Sequence, residues 1–276
     1  MLKHTLRSFD DRALNVFHTP LSRAKEHVVV ALPFGVRHAM ADRVYAALAE
    51  RYNVATWESR FVLDHHADAP DARIDAAMHV QDMKEVIDFL LAAHVRPVHV
   101  VGYCSGAGIA LLGAARYPDA IARLALVSGE FMLPATLCAP GPFQREVDVI
   151  LPAAASDRDS AQFVYDSIAS GRSVEQSEFH GFIALPFSSA EYLYRYGRNY
   201  VAYRDNDFPA AAAQVTQPTL ILYARHDQHV APQGSEVLRR HLRQPVASLA
   251  VDGDHYEFCR GNRAMLASLT DFLGAA

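Results

Sequence analysis

The sequence predicts an α/β fold: a mostly parallel central sheet with helices on both faces and a helical cap inserted between two of its strands. Three observations carry that prediction. Short β-branched runs, such as His27-Val28-Val29-Val30-Ala31-Leu32 and Val98-His99-Val100-Val101, alternate with stretches of helical periodicity, the rhythm of parallel strands joined by crossover helices. One run feeds the turn Gly102-Tyr103-Cys104-Ser105-Gly106, which opens straight into the apolar helix Ala107-Gly108-Ile109-Ala110-Leu111. From Phe131 to Val215 the rhythm breaks, with prolines at 134, 140 and 142 and no clear buried strand.

Taken in order, residues 1–22 read as two short strands around an Asp10-Asp11 turn, with Ala13, Leu14 and Val16 in the second. The run at 27–32 is too short and too β-branched for a helix and ends at Pro33-Phe34-Gly35. Met40, Val44, Ala47 and Leu48 fall at helical spacing, and Asn53 to Trp57 form the next strand. Ile74, Met78, Met83, Val86, Ile87, Leu90 and Leu91 mark a long amphipathic helix. After the strand at 97–101 the elbow helix stops at Tyr117-Pro118-Asp119, as proline requires. Ile121 to Val127 is a strand, and strand rhythm resumes at Pro218 to Tyr223. A helix at 232–243, a strand at 246–251 and a helix at 256–273 close the chain. The organisation is therefore a core over residues 1–130, a cap over 131–215 and the rest of the core over 216–276.

A chain of 276 residues with 51 % hydrophobic content buries a large core. The net charge of −5 argues against a nucleic-acid partner, which a basic stripe would mark. No apolar run suggests a membrane span or a signal peptide. Three cysteines, Cys104, Cys138 and Cys259, show no metal-type pairing and suit free thiols in a reducing cytoplasm. Cys138 and Cys259 read as small buried residues.

Gly102-x-Cys104-x-Gly106 has the form of a nucleophile elbow with cysteine at its centre. The strained central residue needs neighbours two places away without side chains, and the helix N-terminus favours a thiolate and a developing oxyanion. Ser105 lacks this frame, because Tyr103 and Ala107 stand where glycines would be needed. Gly102, Gly106 and Gly108, with Glu130 further on, also fit a dinucleotide-binding turn. A third reading leaves the glycines to close packing alone. The dinucleotide reading lacks its base: the lysines are Lys3, Lys25 and Lys84, all upstream of the turn.

A cysteine nucleophile needs a base, and the base needs an orienting acid. Asp227 lies in Ala224-Arg225-His226-Asp227-Gln228-His229, and His255 in Asp252-Gly253-Asp254-His255-Tyr256, each after a strand. In an open sheet those carboxyl ends share one rim. Glu130 is a second candidate orienter, Asp254 reads as structural, and His226 with His229 lacks the further ligands of a metal site. His65-His66 reads as a solvated loop.

These three matches resemble the α/β-hydrolase superfamily, over residues 25–130 and 216–276. The resemblance implies Cys104 as nucleophile, His255 as general base and Asp227 as its orienter. It also implies an oxyanion hole from the backbone N–H groups of Ser105 and Gly35, with Phe34 and Tyr103 beside the substrate. The loop Pro33-Phe34-Gly35 departs from the usual His-Gly and is similar to that of discrete type II thioesterases. The Gly-Tyr-Cys-x-Gly elbow resembles that of dienelactone hydrolases, which lack a large cap. The capped layout is most similar to aminoacyltransferases of nonribosomal peptide pathways.

A cysteine exchanges one thioester for another at nearly balanced energy, which favours acyl transfer over hydrolysis when water is kept out. With this chemistry, the resemblance to those aminoacyltransferases implies an enzyme with no bound cofactor that moves an acyl or aminoacyl group carried on a phosphopantetheine arm. Its partners would be the thioester and a carrier protein, with no nucleic acid and no membrane. A thioesterase or an ester or lactone hydrolase would use the same triad, and a binding module on this fold is the non-enzymatic alternative. The cap segment Glu191 to Arg204 is dense in tyrosine and arginine. It reads either as a helix packing its aromatics on the core, or as an acyl tunnel with Arg195 and Arg198 facing an acidic carrier.

Overall fold

The computed structural model describes residues 1–62, 74–171, 177–244 and 246–275. His65 and His66 lie outside the described residues.

The chain begins with a hairpin, β1 (Leu2–Arg7) and β2 (Ala13–His18), turning at Asp11 with its φ of 63°. Then come β3 (His27–Ala31), α1 (Asp42–Ala49), β4 (Asn53–Trp57), α2 (Ala76–Ala93), β5 (Val98–Tyr103), α3 (Ser105–Arg116) and β6 (Arg123–Val127). Among the described residues five α-helices follow before the next strand: α4 (Pro142–Ser156), α5 (Arg158–Gly171), α6 (His180–Ile183), α7 (Ala190–Arg204) and α8 (Phe208–Ala212). The chain closes with β7 (Thr219–Ala224), α9 (Pro232–Arg239), β8 (Val246–Val251) and α10 (Arg263–Leu273).

The eight strands form one sheet in the order β1-β2-β4-β3-β5-β6-β7-β8. The β1–β2 and β2–β4 pairs are antiparallel, and every later pair is parallel. Strands β3, β4 and β5 are buried along their whole length, which explains their unbroken apolar runs. Alternate residues feed two cores. Val29, Val100 and Leu124 face one with α2 and α3, while Val28, Val30 and Val101 face the other with α1 and α10. Each such buried side chain contributes about 1.5–3 kcal/mol.

Arg60 ties the terminal hairpin to this body. It bonds Asp10 at 2.7 Å in the hairpin turn and Asp82 of α2 at 2.7 and 3.0 Å, and Asp82 is fully buried. Burial pushes the Asp82 carboxyl up to about 6 despite the opposing guanidinium.

Helix boundaries near the C-terminal end differ from the sequence reading. The last helix begins at Arg263 rather than 256, because the Asn262 side chain accepts the N–H groups of Ala264 and Met265 and sets the first turn there. Residues 255–257 form a separate short 3-10 turn. Helix α9 ends at Arg239, short of 243.

Candidate active site

The elbow sits where β5 runs into α3, between β3 and β6. Cys104 has φ 54° and ψ −124°, a conformation that side chains rarely adopt. Its N–H donates to the Val127 carbonyl at 3.0 Å, and its carbonyl accepts the N–H groups of Ala107 and Glu130 at 3.0 and 3.1 Å. The turn is tight enough that a Cβ on Gly106 would lie 2.2 Å from the Ala31 carbonyl oxygen, and one on Gly102 2.5 Å from Ala107 Cα. The third glycine of the dinucleotide reading has another use. A Cβ on Gly108 would meet the Tyr203 hydroxyl at 1.8 Å, so Gly108 makes room for a tyrosine of α7. That hydroxyl lies 3.2 Å from the Ser105 carbonyl and 2.5 Å from that of Glu130.

Asp227 and His255 meet across the carboxyl ends of β7 and β8. Their loops are sewn together by backbone bonds from Arg225 to Val251 and from His226 to Gly253. Asp227 Oδ2 stands 2.7 Å from His255 Nδ1, and both side chains are buried. The other carboxylate oxygen accepts the N–H groups of His229 and Val230, each at 2.9 Å. An ionised carboxylate only accepts, so Nδ1 carries the proton and Nε2 is left with its lone pair for proton transfer. Glu130, the other candidate orienter, does not take this position. Asp254 is structural: it accepts the Tyr256 N–H at 2.8 Å and pairs with Arg260.

Cys104, Glu130 and His255 line one cavity of about 510 Å³, which Phe143, Tyr196 and Tyr200 of the helical insertion also line. Burial pushes the Cys104 thiol well above its ordinary value. Glu130 and Asp227 reinforce that shift, while the Ser105 N–H pulls against it. Burial thus opposes the thiolate that the helix N-terminus favours. Glu130 is itself pushed up to about 7 by burial, against the pull of His255.

The remaining candidates separate. Ser105 is buried, and its Oγ accepts the Phe34 N–H at 3.1 Å. The loop N–H bonded to the elbow is therefore that of Phe34. Gly35 takes φ 72° and turns the loop, and a Cβ there would meet Pro186 at 2.6 Å. The Phe34 side chain lines the cavity and packs on Tyr203. Tyr103 borders the cavity but is fully buried, and its hydroxyl donates to the His255 carbonyl at 2.9 Å. It holds the histidine loop.

His226 and His229 diverge. His226 is exposed, whereas His229 lines the cavity with its ring centroid 5.0 Å from that of His255. Burial and the neighbouring His255 lower His229 to about 4. Among the described residues no cluster of His, Cys, Asp or Glu could hold a metal ion, and no helix is long and apolar enough to cross a membrane. Cys259 is buried, but Cys138 is only half-buried. Arg195 is buried, with Nε donating to Glu191 at 2.8 Å. It is not a docking cation, whereas Tyr196 and Tyr200 of the same helix do reach the cavity. The sequence reading had not singled out His229 or Glu146 as cavity residues. Position 229 was signalled by its distance of two residues from the acid.

The family model described as alpha/beta hydrolase fold matches residues 47–258. The chain belongs to this family. Among characterised relatives it is similar to an L-allo-isoleucyltransferase from Pseudomonas savastanoi pv. glycinea, 23 % identical over 261 residues covering 92 % of this chain and 89 % of that one. Among solved structures of the alpha/beta hydrolase fold it is similar to an esterase from Exiguobacterium antarcticum, with a TM-score of 0.75 and 18 % identity, covering 99 % of this chain and 100 % of that one. It is likewise similar to an enol-lactonase from Burkholderia xenovorans LB400, with a TM-score of 0.71, 18 % identity and the same coverage. At these identities the solved structures speak to the fold.

Proposed function

We propose that this alpha/beta hydrolase-fold protein is an acyltransferase that carries an acyl or aminoacyl group on Cys104 between two carrier thiols. The observation that carries the reading is a cysteine at the strained elbow position, facing the same cavity as a buried His255–Asp227 pair. Similarity to an isoleucyltransferase supports it. A carrier protein bearing a phosphopantetheine thiol is the proposed partner, and no cofactor is held by the chain itself.

In the forward half-reaction Cys104 Sγ attacks the thioester carbonyl while His255 Nε2 takes the thiol proton. The resulting oxyanion is placed to accept N–H bonds from Ser105 and Phe34, once Phe34 exchanges its bond to Ser105 Oγ for the substrate oxygen. Collapse breaks the carbon–sulfur bond to the donor carrier, and its thiolate takes the proton back from His255. The second half-reaction runs the same steps in reverse with an acceptor thiol. Asp227 holds the imidazole in the required tautomer throughout. Because a thioester is exchanged for a thioester, neither half-reaction is strongly downhill, and the helical insertion above the cavity limits the entry of water.

Intact-protein mass spectrometry after incubation with acyl and aminoacyl thioesters tests the reading. The unaltered chain gains the mass of one acyl group, and Cys104→Ala gains none. An equal adduct on Cys104→Ala would refute it.

A further inference from the structure

Among the described residues, the lining of the cavity above Cys104 includes two carboxylates, Glu130 and Glu146, and neither a lysine nor an arginine. Of its three histidines, His229 is held neutral by burial. Glu130 is fixed beside the nucleophile at both of its backbone groups. Its N–H donates to the Cys104 carbonyl at 3.1 Å, and its own carbonyl faces the Tyr203 hydroxyl. Among the described residues its carboxylate accepts no hydrogen bond. Its charge nevertheless bears on Cys104, Tyr196, Tyr200 and His255, which all line the cavity. A carboxylate so placed raises the thiol it sits beside, the opposite of what a nucleophile needs. When ionised, that carboxylate has no hydrogen-bond donor among the described residues until a ligand brings one.

We infer that Glu130 is the receptor for the α-ammonium of an aminoacyl thioester, and that it selects aminoacyl over simple acyl substrates. This rests on the acyl-transfer reading and names the substrate class within it. When the thioester carbonyl lies at Cys104 Sγ, the α-nitrogen is two bonds from that carbonyl carbon, within the cavity that Cys104 and Glu130 both line. The bound ammonium gives the carboxylate its missing donor and cancels the negative charge that opposes thiolate formation. An aminoacyl substrate therefore eases the attack on itself, and a substrate without the amine leaves Glu130 either protonated or unpaired. Tyr196, Tyr200 and Phe143 offer the apolar and aromatic wall for the side chain.

The test compares three N-acetylcysteamine thioesters of one branched aliphatic acid: with a free α-amine, with that amine acetylated, and without it. The readout is the rate of Cys104 adduct formation by intact mass, in the full chain and in Glu130→Gln and Glu130→Asp. The unaltered chain should load the free amine at least about tenfold faster than either neutral thioester. Glu130→Gln should collapse that preference about tenfold or more, and Glu130→Asp should restore part of it. A preference ratio unmoved by Glu130→Gln overturns the inference, as do equal rates for the free and acetylated amines on the unaltered chain, a comparison that needs no variant. Adducts formed without preference count against Glu130 alone. The absence of any adduct, with Cys104 still alkylated by iodoacetamide, counts against acyl transfer itself.

Discussion

The sheet rim and the helical insertion solve different problems in this chain. The rim holds Cys104, Asp227 and His255 by backbone: each stands one to four residues past a strand, and the strands are locked in register from β3 to β8. The insertion is held by side chains. Helices α4, α5 and α7 share a small core around Val147, Leu151 and Leu193, and Tyr203 and Phe208 join the insertion to the main core. Under the proposed acyl transfer, the rim would supply a reaction common to many acyl groups and the insertion a cavity wall that chooses among them.

The largest effect should come from breaking the rim. Asp227→Asn leaves the loop bonds to His229 and Val230 available but offers Nδ1 the wrong tautomer, so kcat should fall about a thousandfold for every acyl group alike. Tyr200→Phe or Phe143→Ala in the insertion should instead reorder acyl preference while changing kcat by less than about tenfold. Steady-state kinetics with a thioester panel separates the two, and a selective loss in Asp227→Asn would break the comparison.

Next in size is the fold itself. Gly106→Ala places a methyl 2.2 Å from the Ala31 carbonyl, a backbone atom that cannot step aside. Chemical denaturation should show a loss of about 3 kcal/mol or more. A loss below about 1 kcal/mol would mean that the elbow is looser than its geometry implies.

The smallest effect concerns charge. Glu130 opposes the Cys104 thiolate only when ionised, which it becomes as pH rises through about 7. Glu130→Gln should therefore alkylate with iodoacetamide several-fold faster than the unaltered chain at pH 8, and nearly equally at pH 5.5, where Glu130 is already neutral. The same variant should gain in relative stability as pH rises. Its buried parent carboxyl, raised from the ordinary value of 4.5, binds a proton more tightly folded than unfolded, a contribution lost as pH rises through the folded value. Identical alkylation profiles would place the Glu130 charge elsewhere.

Legibility followed the same division. Strand β5, the elbow and the two loops beyond β7 and β8 were readable because a strained turn admits few residues and because a parallel sheet brings strand ends to one rim. The N–H after β3 that bonds to the elbow is that of Phe34, where the sequence reading looks to Gly35. The run Pro33-Phe34-Gly35 does not reveal which N–H faces inward, and only the φ of 72° at Gly35 settles how the loop turns. In the insertion, periodicity failed for a physical reason. Val149 and Phe163 are 73 % exposed, so apolar positions there do not mark the buried face. Arg195, by contrast, is buried against Glu191. A charged residue at helical spacing gives no sign of which of its faces is covered.

The central claim is that Cys104 hands its acyl group to a thiol rather than to water. The direct measurement is the fate of the isolated Cys104 aminoacyl adduct, followed by intact mass with and without a carrier protein bearing a phosphopantetheine thiol. The account predicts an adduct that persists in buffer and clears on addition of the thiolated carrier, with the acyl mass appearing on that carrier. An adduct that water clears at the same rate whether or not the carrier is present would contradict it.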